Sequence, residues 1–137
     1  MQMEELFLRF RRSDKMFERK YKVIELSNGK KDITILFSDI KNPEILSSFF
    51  YSDVTPFEDW IKTDFDKVIS GESEYEEVNG NVCSVEIGPV TTKIFDNLIE
   101  DDEEYYASCC EVDTKELRQL IDEWCEKVRE LKKEYHN

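Results

Sequence analysis

Histidine is almost missing from this chain: its 137 residues include one, His136, next to last. Nucleophilic catalysis by serine or cysteine needs an imidazole base held in place, and a position in a fraying tail supplies it poorly. Zinc ligation is disfavoured on the same ground. Cys83, Cys109, Cys110 and Cys125 form no C-x-x-C pair and have no histidine partners in reach of sequence spacing. They read as buried reduced thiols rather than a disulfide framework. Glycine is sparse too, and Gly29, Gly71, Gly80 and Gly88 stand singly at turns, so no glycine-rich loop cradles a phosphate. No apolar run approaches the roughly 18 residues of a membrane span. The opening MQMEELFLRFRR lacks a signal-peptide core. The expectation is a cytosolic, single-domain protein over 1–137 with no catalytic residues, no cofactor and no metal site.

Acid is what the chain has, and it is unevenly placed. The net charge is −13, yet residues 1–31 hold nine basic and five acidic side chains, a balance of +4. Residues 32–113 hold four basic and twenty-one acidic ones, a balance of −17. Residues 114–137 hold six of each and balance to zero. A field of this sign repels phosphate backbones, so neither direct nucleic-acid binding nor a membrane is expected, and cationic protein partners are favoured. The basic opening, with Arg9, Arg11, Arg12, Lys15, Arg19, Lys20 and Lys22, is accounted for by self-complementation of an acidic domain and protection of an edge strand.

Apolar content of 39% with 12% aromatics supports a packed core despite 37% charged residues. Period-two alternation predicts strands over 6–10, 22–26 and 32–37, with Asn28-Gly29 as a hairpin turn between the last two. Residues 45–51 fit another strand or a short helix. The run TPFEDWIKTDFDKVISG predicts a helix over about 55–70, with Thr55 as cap, Pro56 at the first position and Glu58 closing a capping box. Phe57, Trp60, Ile61, Phe65, Val68 and Ile69 form its apolar stripe, and Asp59, Asp64 and Asp66 its polar face. Strands follow over 75–78, 82–87, 90–95 and 104–112, joined as a meander by Asn79-Gly80 and Gly88-Pro89. A second helix over 114–134 starts at a capping box of Asp113 and Glu116 and buries Leu117, Leu120, Ile121, Trp124, Val128 and Leu131. The class is α+β: a mostly antiparallel sheet packed by two amphipathic helices.

One stretch resists a purely structural reading. Residues 100–104 are five consecutive acids that run into Tyr105 and Tyr106, with no basic residue between Lys93 and Lys115. The alternating spacing and distal glutamate of a calcium loop are absent. The run reads as a loop before the last strand, which would send the two tyrosines to opposite faces. Glu72, Glu74, Tyr75, Glu76 and Glu77 form a second acidic segment that the meander could bring near. The candidate partner-binding residues are therefore Glu72, Glu74, Tyr75, Glu76, Glu77, Asp101, Asp102, Glu103, Glu104, Tyr105 and Tyr106.

Ser70-Gly71-Glu72 followed by Gly80-Asn81, the helix around Phe57-Glu58-Asp59-Trp60, and Val112-Asp113-Thr114-Lys115-Glu116-Leu117 with Leu120 and Trp124 resemble the WapI-type immunity proteins of bacterial toxin systems. The likeness spans roughly residues 45–130. It implies a small cytosolic antidote that binds one secreted toxin domain, often a nuclease, and blocks it. It brings no catalytic residues. The expected function is thus neutralisation of a cationic toxin domain through an acidic surface. The alternative is a small-molecule or regulatory binding module, or an enzyme without a recognisable motif. A deep pocket lined by Trp60, Phe65 or Tyr106 with convergent carboxylates would favour that alternative.

Overall fold

Gly29 turns the first hairpin with a φ of +86°, a backbone state that L side chains rarely adopt. The Asn28 side chain accepts a hydrogen bond from the Lys30 amide at 2.9 Å and tightens the same turn. The flanking strands, β1 (Arg19–Glu25) and β2 (Lys31–Phe37), pair antiparallel from Arg19 with Phe37 to Glu25 with Lys31. The computed structural model describes residues 17–135. The strand expected over 6–10, the basic residues Arg9, Arg11, Arg12 and Lys15, and His136 lie outside the described residues.

Residues 43–54 are helical throughout. Asn42 adopts a left-handed conformation, φ 56°, and its side-chain amide donates to the Cys109 carbonyl at 2.8 Å. Pro43 then opens α1 (Pro43–Ser48), where its missing N–H costs nothing. A π-helical segment, Phe49–Val54, continues the axis. Its wider turn lets Phe49, Phe50, Asp53 and Val54 all be buried, a pattern an alternating strand could not satisfy.

Four further strands form the expected meander: β3 (Glu76–Asn79), β4 (Cys83–Ile87), β5 (Thr91–Asp96) and β6 (Cys110–Asp113), antiparallel in the order β3-β4-β5-β6. Among the described residues the strands thus divide between two sheets. Buried Asp53 anchors the β3–β4 turn to the π-helical segment. Its carboxylate accepts from the amides of Asn81 (2.7 Å), Val82 (3.1 Å) and Cys83 (2.9 Å). A Cβ at Gly80 would lie 2.5 Å from the Asp53 carboxyl carbon, so any larger residue here must displace the carboxylate that holds the turn.

Helix α2 (Glu58–Ile69) buries Ile61, Phe65 and Val68, and Gly71, at φ +88°, ends it as expected. Its start differs from the capping-box reading. The chain is already helical at Thr55, which therefore cannot act as a cap. The Thr55 hydroxyl accepts from the Trp124 indole N–H at 3.0 Å instead, and Glu58 pairs with Lys62 and Arg129, each at 2.6 Å. Trp60 departs from the expected core stripe and is 46% exposed, because Ile61 and Phe65, one position over, take the buried direction. Asp64, placed on the polar face by spacing, is buried at 8% exposure.

Helix α4 (Thr114–Tyr135) is capped by Asp113, whose carboxylate accepts from the Glu116 amide at 3.0 Å. It buries Leu117, Leu120, Ile121, Trp124, Cys125 and Leu131 and packs against both β2 and β6, so one helix joins the two sheets. Arg19 inserts from β1 and grips Glu123 with two hydrogen bonds of 2.7 Å, while the Tyr21 hydroxyl donates to the same carboxylate. Cys83, Cys110 and Cys125 are buried free thiols, and Cys109 is half-buried.

Candidate protein-binding face

Strand alternation gives the four-stranded sheet two unlike faces. Val78, Cys83, Val85, Ile87, Ile94, Cys110 and Val112 point inward and join the core. The opposite face carries Glu77, Glu86, Lys93 and Glu111, which the register sets side by side in one row across the sheet. The Thr91 hydroxyl donates to Glu111 at 2.9 Å at one end of the row.

Phe95 also points outward, yet it is 4% exposed and stands apart from the main core. A short helix covers it. Residues 102–107 form α3 (Asp102–Ala107), where the sequence pattern predicts the end of a loop and the start of the last strand. Asp101 caps this helix by accepting from the Glu104 amide at 2.9 Å, and the acids of its first turn favour the positive end of the helix dipole. The acidic run is therefore a helix start and not a loop, and the last strand shrinks to Cys110–Asp113. On a helix Tyr105 and Tyr106 are about 100° apart rather than opposed. Tyr105 stacks on Phe95 with ring centres 5.0 Å apart, and Tyr106 meets Phe95 edge-on at 5.7 Å. Neither tyrosine is fully buried, and Tyr106 is 64% exposed.

A polar chain links this cluster to the far strand. The Tyr105 hydroxyl donates to Asn97 Oδ1 at 3.2 Å, and Ser84 Oγ lies 2.9 Å from the same atom and 2.6 Å from Asn79 Oδ1. Glu77 of the first acidic segment and the helix that carries the second consequently share one face of the four-stranded sheet. β3 and β5 stand two strand spacings apart, about 10 Å.

The candidate residues do not all fall on that face. Glu77, Tyr75 and α3 do. Glu72 and Glu74 lie exposed in the connection between α2 and β3. Glu76 turns toward the α2 side, where the Ser73 hydroxyl donates to it at 2.7 Å. There, burial and then the Glu76 charge push the Asp64 carboxyl above its ordinary value. At Tyr75, partial burial and then the Glu86 and Glu77 charges raise the hydroxyl in the same sense. Spacing alone had not singled out Glu86, Lys93, Phe95 or Glu111. Their alternation was visible, but the alignment of three carboxylates in one row needs the strand register.

Trp60, Phe65 and Tyr106 do not converge on a pocket. Phe65 is fully buried, Tyr106 lies on the outer face, and Trp60 lines an open groove of about 280 Å³ with Thr55, Pro56, Phe57, Glu58 and Asp59. Among the described residues no helix is long and apolar enough to cross a membrane.

No family model matches the chain, and no solved structure matches it at a significant level. A curated protein does. Over 108 residues the chain is 39% identical to a protein of Bacillus cereus named "Immunity protein", a span covering 79% of this chain and 86% of that one. Identity of this degree over most of both lengths is a relationship of whole domains, and the chain belongs to the bacterial immunity proteins.

Proposed function

We propose that the chain is an antitoxin of the WapI type, which binds the toxic domain of a secreted protein in the cytoplasm and blocks it by occupying its active cleft. The partner is a cationic domain, a nuclease whose basic cleft ordinarily takes a nucleic-acid backbone. The observation that carries this reading is the outer sheet face, where Glu77, Glu86 and Glu111 stand in one row beside the acidic start of α3. Exposed Tyr75 and Tyr106 flank the same carboxylates. Charge complementarity of this kind speeds association by about 10- to 1,000-fold at low salt. Rim charges add little affinity, so tight binding needs an aromatic anchor, and the two tyrosines are placed to provide it. The protein needs no catalysis of its own for this role.

The test is neutralisation. The C-terminal domain of a large secreted protein encoded directly upstream is co-expressed with this chain and assayed on DNA and RNA. The two should co-purify at equal stoichiometry, with nucleolytic activity abolished. A toxin domain that stays fully active in excess of this protein overturns the reading.

A further inference from the structure

Alternation along β5 sends Ile94 to the core and Phe95 to the outer face, where a large apolar ring would ordinarily stand in solvent. It is buried because α3 lies on it. The helix itself gains nothing from the core: it has six residues and buries none of them. A helix this short does not persist on its own sequence. Its local bonds close the turn but leave its place on the sheet open. Asp101 accepts from the Glu104 amide at one end, and the Ser108 hydroxyl donates to the Glu104 carbonyl at 2.6 Å at the other. Docking comes from Tyr105, whose ring lies 5.0 Å from that of Phe95 at an interplanar angle of 15°, and whose hydroxyl donates to Asn97 Oδ1. Tyr106 stands edge-on to both rings, 5.7 Å from Phe95 and 5.0 Å from Tyr105, which leaves it turned to solvent.

We propose that Phe95, with Tyr105 and Asn97, positions α3 for the toxin domain: the three fix where the helix stands, and with it the exposed Tyr106. This deepens the protein-binding reading above and rests on it. A recognition element held in its bound place before encounter loses less conformational freedom on binding, so the aromatic stack raises affinity from beneath the helix. The Asn97 carboxamide works in the same sense. Ser84 Oγ lies 2.9 Å from its Oδ1, so the sheet fixes the acceptor that the Tyr105 hydroxyl reaches. Phe95 is the informative residue of the three, because the helix shields it: a change there reaches the partner only through α3.

Hydrogen exchange of the free protein and binding kinetics with the toxin domain test this together. Phe95→Ala should bring the α3 amides close to the exchange rate of unstructured chain while those of α4 stay protected. It should weaken binding at least about fivefold, because only the fraction of molecules with α3 in place binds well. The slope of the association rate against salt should match the wild type, since every charge is kept. Tyr105→Ala removes the same stack from a residue outside the core and should give the same losses. The double variant should bind no more weakly than either single one, because both act through one contact. Wild-type affinity in Phe95→Ala, α3 protection unchanged by it, or additive losses in the double variant each overturn the positioning role and leave the antitoxin reading standing. Loss of α4 protection as well would make Phe95 a residue of the fold and overturn the role too. Failure of the wild-type protein to bind overturns both.

Discussion

Two buried carboxylates show how one residue type serves opposite ends. Asp53 organises a turn, because three backbone N–H groups converge on it. Removing it leaves three backbone donors without their acceptor, the Cys83 amide in a buried position, so Asp53→Ala should cost about 2–5 kcal/mol in urea denaturation. Gly80→Ala should cost a similar amount, since its Cβ has no room beside that carboxyl. Asp64 works the other way. Burial and the Glu76 charge raise its carboxyl above the ordinary value. A carboxyl whose folded pKa exceeds its unfolded one contributes stability only where it is protonated, below about pH 4, and loses it as pH rises through the folded value. At neutral pH the charged form is a burden on the fold. Asp64→Asn should therefore raise Tm at pH 7 and change it little at pH 3, which melts at the two pH values will show.

Among the elements, those with a long apolar period were readable in advance. Helix α4 was visible in Leu117, Leu120, Ile121 and Trp124, and the Asn28-Gly29 hairpin in its turn chemistry. Two features were hidden for physical reasons. The start of α2 followed its capping letters on paper, but the π-helical segment carries helical backbone through Thr55 and moves the boundary. Helix α3 has one and a half turns and no buried residue, so it has no apolar period to find. A signal did exist in Asp101 and Glu104, which have capping-box spacing, but alternation over 104–112 obscured it. An ordered element with no core residue opens cheaply. Amides in α3 should exchange faster than those of β4 and β5. Asp101→Ala should speed that exchange further, by about 1 kcal/mol of local stability, with global Tm nearly unchanged. Of the candidate face, acid and tyrosine content was legible; the row of Glu77, Glu86, Lys93 and Glu111 awaited the register.

At the scale of the whole molecule, α4 ties the hairpin to the four-stranded sheet, and the Arg19–Glu123 pair locks that tie. Burial alone would raise the Glu123 carboxyl, but hydrogen bonds from Arg19 and Tyr21 and the Arg19 charge outweigh it and hold it below the ordinary value. The stability this gives is present above about pH 4.5 and is lost as pH falls through the depressed value, so acid should loosen the hairpin from α4. Arg19→Met leaves Glu123 half-buried without its cation and should destabilise by about 3–5 kcal/mol.

Charge is the other whole-molecule property, and the function proposed above has the carboxylates of the outer sheet face and of α3 guide a cationic toxin domain. Stopped-flow association with that domain across a salt series measures this directly. The wild-type rate should fall steeply as ionic strength rises. Charge reversal by Asp102→Lys and Glu103→Lys together, which spares the Asp101 cap, should slow association at low salt by at least about tenfold and flatten its salt dependence. A rate insensitive to salt and equal in the two proteins would contradict the account and place the interface on another surface.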